Sequence, residues 1–282
     1  MKNELIYTVF IFAFTSICVF AQNDTTKNAG WTPKAIAGIN ISQLALSNWT
    51  QGGENSLSWT LTGNIGYNYK SSSWNLSNNL KLAYGRTKLS GQDFRTNDNE
   101  FYLEDVLSKK IGWAVDPFFS NIITTTIAPG YDYNADTAVE IANFFDPGYV
   151  VQSLGFEYDK LAGFKTRLGI AVQEVFTNHN RKYTDDPATS KVEAFKLETG
   201  FQSVTSGNVQ LAENLLLSSS LTLFTRFKSL DVWDVRWDNS LVAKVNSWLN
   251  VNLGFLLVYQ RDQSLTTQMK QTLQLGVVYA LF

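Results

Sequence analysis

Cysteine, histidine and proline are nearly missing from this chain of 282 residues, which holds one, one and five of them. The cysteine, Cys18, lies inside an apolar N-terminal run. Beyond that run there is no disulfide, no thiol nucleophile and no thiolate metal site. A single histidine, His179, cannot build a zinc centre without cysteines. Few prolines and 18 glycines argue against a disordered or fibrous chain. The formal charge of −2 provides no field to gather nucleic acid or acidic lipid. After the N-terminal run no stretch approaches 18 consecutive apolar residues, which excludes transmembrane helices. Phosphate-binding Gly-rich loops, dinucleotide turns and the ordered acids of an EF-hand are all missing. No cofactor, metal site or catalytic residue is expected.

The N-terminus has the three parts of a secretory signal. Lys2 is the basic residue, LIYTVFIFAFTSICVF the apolar segment, and Ala21 the small residue before polar QNDTTKN. Bulky Ile17 ahead of Cys18 excludes lipidation. The expected organisation is a signal peptide over 1–21, a short periplasmic tail over 22–31, and one β domain over 32–282.

That domain alternates with period two almost throughout. In LSWTLTGNIGYNYK, Leu57, Trp59, Leu61, Ile65, Tyr67 and Tyr69 share one face, and Ser58, Thr60, Thr62, Asn64, Asn68 and Lys70 the other. WNLSNNLKLAYG repeats the pattern after the short turn SSS. Further strands are predicted near 33–47, 99–110, 117–128, 149–158, 164–176, 191–202, 209–225, 232–245, 248–261 and 269–282. Roughly ten to fifteen residues each is too long for ordinary soluble sheets of about five or six, and suits a tilted membrane strand. Connections alternate between short (SSS, IGWAVD, KLAG, TSGN, Asn246–Ser247) and longer (TKLSGQDFRTNDN, GYDYNADTAVEIANFFDPG, NHNRKYTDDPATS). QGGENS and FKSLD are of moderate length, and RDQSLTT closes the series. Long loops on one side and tight turns on the other are the mark of an outer-membrane barrel.

Aromatic residues agree. Tyr69 and Trp74 flank the SSS turn, with Trp59 and Tyr84 at the far end of that hairpin. Trp233, Trp237 and Trp248 repeat the arrangement, as two interfacial girdles would. The fold class is therefore all-β: a single transmembrane antiparallel up-and-down barrel of about twelve strands. Its expected place is the outer membrane of a Gram-negative bacterium, with outer-membrane lipid and the barrel-insertion machinery as partners. The terminal strand ending in Phe282 supports the latter.

Several short motifs resemble one family. INISQLALSNWTQGGENSLSW, LAYG, RTNDNEFYL, IAPGYDY and FFDPGYVVQSLGFEYD are similar to an uncharacterised group of Bacteroidota cell-envelope proteins, domain of unknown function 3078. The resemblance implies an outer-membrane barrel and brings no activity, substrate or catalytic residue.

With the apolar faces toward lipid, the alternate residues line a lumen. Candidate lining residues are Lys81, Arg167, Asp234, Arg236, Asp238 and Lys244, so the interior is polar and carries both signs. Two arrangements stay open. Small polar walls and mixed charge suit a narrow channel or small-solute transporter. Charges paired across the lumen would instead close it, leaving a ligand-binding or structural barrel. A lipid hydrolase is the weakest reading: a resemblance to the twelve-stranded outer-membrane phospholipases would imply a serine two residues from the histidine, and Thr177 and Arg181 stand there beside His179. In NWTQGGENSLSW, Gly52, Gly53 and Glu54 are read as the tip of the first hairpin, with Trp49 and Trp59 at its sides. Segment AVEIANFF has the composition for a short helix, as plug or as cap.

Overall fold

Period-two alternation commits each segment to one apolar and one polar face, and a sheet so built must bury its edges or close on itself. This chain closes. The computed structural model describes residues 30–46, 53–133, 137–186, 188–261 and 264–280. The expected signal peptide over 1–21, most of the expected tail over 22–31, Trp49, Gly52 and Phe282 lie outside them.

Fourteen strands follow one another among the described residues. They are β1 (Gly30–Leu44), β2 (Ser56–Lys70), β3 (Trp74–Leu89), β4 (Arg95–Lys109), β5 (Asp116–Thr125), β6 (Gly130–Asp132) and β7 (Val139–Ala142). Then come β8 (Gly148–Tyr158), β9 (Phe164–Phe176), β10 (Phe195–Ala212), β11 (Leu215–Arg226), β12 (Ser229–Lys244), β13 (Leu249–Tyr259) and β14 (Gln268–Ala280). Twelve form a closed antiparallel barrel in chain order, with β6 and β7 a separate hairpin between β5 and β8. The first and last barrel strands close it, from Ile36 opposite Ala280 to Asn40 opposite Gly276. Barrel strands run from 10 residues in β5 to 18 in β10. No helix among the described residues is long and apolar enough to cross a membrane.

The alternation sorts as expected. Leu57, Leu61, Ile65 and Tyr67 of β2, Leu154 and Phe156 of β8, and Leu168 and Ile170 of β9 are exposed on the outer face. Their neighbours Thr60, Ser153, Glu157 and Arg167 are buried inside. Such an apolar outer surface around a closed barrel is what a bilayer demands, since hydrocarbon leaves no backbone group an outside partner. Inside, β8 and β9 approach closely at Gly155 opposite Gly169. A Cβ on Gly155 would stand 2.1 Å from the carbonyl oxygen of Leu168.

Several boundaries differ from the sequence expectation. Strand β1 starts at Gly30, before the boundary expected at residue 32. TSGN is not a turn: Thr205–Asn208 continue β10, paired with β9 and β11, and the reversal falls at Glu213–Asn214. Ser, Gly and Asn resemble turn chemistry, but their alternation is unbroken and the ladder on both sides holds them extended. The expected long loop after β3 shrinks to Ser90–Phe94, because β4 begins at Arg95. FKSLD shrinks likewise to Phe227–Lys228. In AVEIANFF, Val139–Ala142 pair with β6 instead of forming a helix.

Candidate functional site

The charged residues that alternation turns inward meet one another across the lumen. Strand β4 carries the acids, Asp98, Glu100 and Glu104, with Tyr102 among them. Glu100 accepts from Arg236 of β12 at 2.6 Å. Asp98 accepts from Lys270 of β14, also at 2.6 Å. Glu104 pairs with Arg167 of β9. Lys81 of β3 reaches Asp238 of β12 at 3.5 Å. Lys81 and Arg236 both lie over the ring of Tyr102, 5.6 and 5.7 Å from its centroid.

These are not neighbours along the wall. From β4 to β12 the path runs through β5, β8, β9, β10 and β11, or through β3, β2, β1, β14 and β13. Glu100 and Arg236 therefore join diametrically opposite strands. A round twelve-stranded barrel would be about 24 Å across at the strand spacing and tilt usual for such walls. That exceeds the combined reach of an Arg and a Glu side chain. The 2.6 Å contact thus requires a section flattened between β4 and β12.

Above this level lies a vestibule of about 600 Å³. Glu100, Arg236, Asp98 and Lys270 line it with Tyr102, Tyr131, Tyr149 and Tyr183. The β6–β7 hairpin adds Gly130, Ile141 and Ala142, so this segment caps the outer mouth. Its size falls in the range of sites for small molecules, about 300–1,000 Å³. A second space of about 270 Å³ lies beside Asn40, Ser42, Ser58, Thr60, Asn97 and Asp98.

At the rim, buried Arg226 holds Glu198 at 2.6 Å and Asp234 at 2.9 Å. Lys196 and Lys228 also reach Glu198, at 3.3 and 3.2 Å. Toward the other end, Lys165 pairs with Glu157 at 2.9 Å and Lys160 with Asp116 at 2.6 Å. Between these ends Ser120, Ser153 and Gln202 form a buried hydrogen-bonded chain, with contacts of 2.6 and 2.9 Å.

Of the six candidate lining residues, five join this network: Lys81, Arg167, Asp234, Arg236 and Asp238. Lys244 ends β12 beside the turn to β13 and is exposed. The acids of β4 are absent from that set: Asp98 falls in the segment read as loop, and Glu100 and Glu104 lie within the strand predicted near 99–110 but not among its candidate lining residues. Their signal is nevertheless present: Asp98, Glu100, Tyr102 and Glu104 recur at every second position, out of phase with Phe101, Leu103 and Leu107. Lys270, Arg226 and Glu198 follow the same rule on their strands.

Trp74, Trp233 and Trp237 are exposed on the outer face, and Trp248 is exposed in the turn between β12 and β13. Trp59 meets Tyr84 edge to face at 5.9 Å, and Tyr69 meets Trp31 at 5.0 Å. Trp31, stacked on Tyr67 at 4.3 Å, adds to the lower cluster. At the first hairpin, Gly53 has a positive φ of 110° and Glu54 is exposed. The residue that ties this tip is Asn55, whose side-chain oxygen accepts from Leu46 N at 2.6 Å.

The outer loops have their own clamp. The buried carboxylate of Asp146 accepts the backbone N–H groups of Asn178, His179 and Asn180 at 2.8–3.2 Å. Burial by itself would raise its pKa, but these donors outweigh it and hold the carboxyl below its usual value. His179 is largely exposed, with Nδ1 3.7 Å from Asp146.

Similar solved structures are barrels. The translocator domain of the autotransporter NalP from Neisseria meningitidis is 11% identical, covering 91% of this chain and 90% of that one, with a TM-score of 0.38. An outer membrane channel from Pseudomonas putida F1 is 12% identical, covering 93% and 99%, with a TM-score of 0.39. The CymD monoaromatic hydrocarbon channel is 8% identical, covering 90% and 88%, with a TM-score of 0.33. No curated protein matches the chain. The family model described as protein of unknown function (DUF3078) matches residues 41–131, the span that holds NWTQGGENSLSW, LAYG and RTNDNEFYL.

Proposed function

We propose that this chain is an outer-membrane channel for a small solute, narrowed by a layer of ion pairs beneath an outer vestibule. The observation that carries the reading is the polar vestibule of about 600 Å³ at the mouth, with the Arg236–Glu100 contact as the constriction at its floor. A solute that enters the vestibule meets Tyr102 and fixed charges of both signs at its floor. Transverse pairs can part and reform at a constriction, and mixed charge gives weak selectivity. The organism is of the Bacteroidota type, residues 1–21 are removed on export, and barrel-insertion machinery delivers the mature chain to the outer-membrane lipid. The role is transport, with no catalytic residue, cofactor or nucleic acid involved.

A second reading has its own support. Inward residues on β5, β8, β9 and β10 are packed to full burial, Ser120 being 0% exposed. A barrel filled in this way suits a closed lumen whose vestibule only binds its ligand.

Planar-bilayer recording separates the two. The channel reading expects discrete conductance steps from the purified protein, enlarged in Glu100→Ala and Arg236→Ala. Silence from all three proteins, with liposomes that stay sealed, would establish the closed barrel.

A further inference from the structure

Two polar patches break the apolar belt: Ser219 and Asn239 on β11 and β12, which bond each other at 2.7 Å, and a longer row on the far wall that carries an acid. Across β3, β4, β5 and β8, Asn78 stands opposite Asp105, Asp105 opposite Asn121, and Asn121 opposite Gln152. Residues directly opposite in a ladder share a face. Leu107, Phe119 and Leu154, on the same faces of β4, β5 and β8, are exposed to the outside. Val106, Ser108, Ser120 and Ser153, on the other face, are buried. The four polar residues therefore point away from the lumen.

The rows on either side are wholly apolar. Above run Leu80, Leu103, Ile123 and Val150 in register, and below run Leu76, Leu107, Phe119 and Leu154. Asn78 lies four residues along β3 from Trp74. At the usual rise and tilt this places it about 9 Å inside the level of that tryptophan, well within an apolar band of about 25 Å. Hydrocarbon satisfies none of these groups. Asn78 donates to Asp105 at 2.5 Å, which leaves the rest of the carboxylate's acceptor capacity open.

We propose that this row is the interface with a second copy of this chain. Two barrels inserted in one direction are related by a two-fold axis along the membrane normal, and such an interface places one patch against itself. An axis between β4 and β5 sets Asp105 of each copy against Asn121 of the other. The carboxylate accepts and the amide donates, twice over, and the flanking leucine and phenylalanine rows meet around them. Polar side chains in a membrane face one another for this reason. The complementarity lies within the row itself, so no other protein is required.

The test uses the full chain with Cys18→Ser, which leaves no cysteine. Asn121→Cys is introduced in that background, and isolated outer membranes are treated with a short bis-maleimide. A crosslinked species of twice the chain mass is expected. Leu253→Cys, exposed on the face opposite the row, should give none. Light scattering in mild detergent should report a dimer for the parent chain. For Asp105→Leu combined with Asn121→Leu the polypeptide mass should halve, while the heat-modifiable gel shift of a folded barrel persists. A monomeric parent chain, equal crosslinking at both cysteines, or crosslinks only to a different protein would each overturn the proposal.

Discussion

The two sides of the lumen are built differently. On one side, β5, β8, β9, β10 and β11 turn Asp116, Phe118, Ser120, Ser153, Glu157, Arg167, Gln173, Glu198, Gln202 and Arg226 inward, all buried. On the other, β13, β14 and β1 turn inward Asn250, Asn252, Gly254, Thr272, Gln274, Gly38 and Asn40. Of the described side chains in β13 none is classed as buried. The second space lies on this lean side. A charge removed from water needs a partner and further hydrogen bonds. Where large charged side chains crowd inward they must satisfy one another and fill the space. Where the inward residues are small and polar, water can satisfy them and the wall stays open. One barrel thus combines a packed polar core with a leaner wall, and the proposed channel has its room along the lean side.

The largest expected effect tests the packed side. Arg226→Met removes the cation between buried Glu198 and Asp234. Breaking such a buried pair should cost about 3–5 kcal/mol. The counterpart on the lean wall, Asn252→Ala, should stay within about 0.5 kcal/mol, as substitutions away from buried networks do. Guanidinium unfolding in detergent micelles measures both, and equal losses would erase the distinction between the walls.

Next in size is the clamp over the packed side, where Asp146 joins the loop before β8 to the loop after β9. Asp146→Ala leaves three backbone donors without their acceptor and should weaken that region by about 1–3 kcal/mol. Limited proteolysis should then cut between Thr177 and Ala194, with the barrel intact. The pH dependence has a definite sign. Because the folded carboxyl titrates below its ordinary value, the clamp is fully present above pH about 3.9 and is lost as pH falls through the lower folded pKa. Loop cleavage that increased already between pH 7 and 5 would contradict this.

The smallest expected change in stability comes from Lys81→Glu, since Lys81 and Asp238 are both partly exposed and 3.5 Å apart. Exposed pairs contribute about 0–1 kcal/mol. The electrical effect should be the larger one: two acids replace an ion pair, and reversal potentials in a salt gradient should move toward cation preference. No movement would place the conducting path away from Lys81.

How much of this was legible depended on range. Strand identity, outer and inner faces, and the single barrel all follow from alternation between adjacent residues, which any local reading detects. Turns were harder. Thr205–Asn208 carry turn-like residues yet stay extended, because β9 and β11 on both sides hold the ladder through Gly207. Arg95–Asp98 read as loop for the same reason in reverse, with Asn and Asp so frequent that their alternation was masked. Of the site, Lys81 and its partner Asp238 were both visible as inward residues, whereas Arg167 and Arg236 were visible but their acids on β4, Glu104 and Glu100, were not.

By itself, the sequence determined the wall: a domain that alternates in long segments and, beyond the N-terminal run, has no stretch for a membrane helix can satisfy its backbone in a bilayer only by closing a barrel. Tertiary structure alone decided which charges meet. Glu100 and Arg236 are 136 residues apart, Lys81 and Asp238 157, and Asp98 and Lys270 172. Such pairs depend on the register of every intervening strand and on the flattening of the barrel. No local pattern carries either of these, because each is set only when the last strand closes on the first.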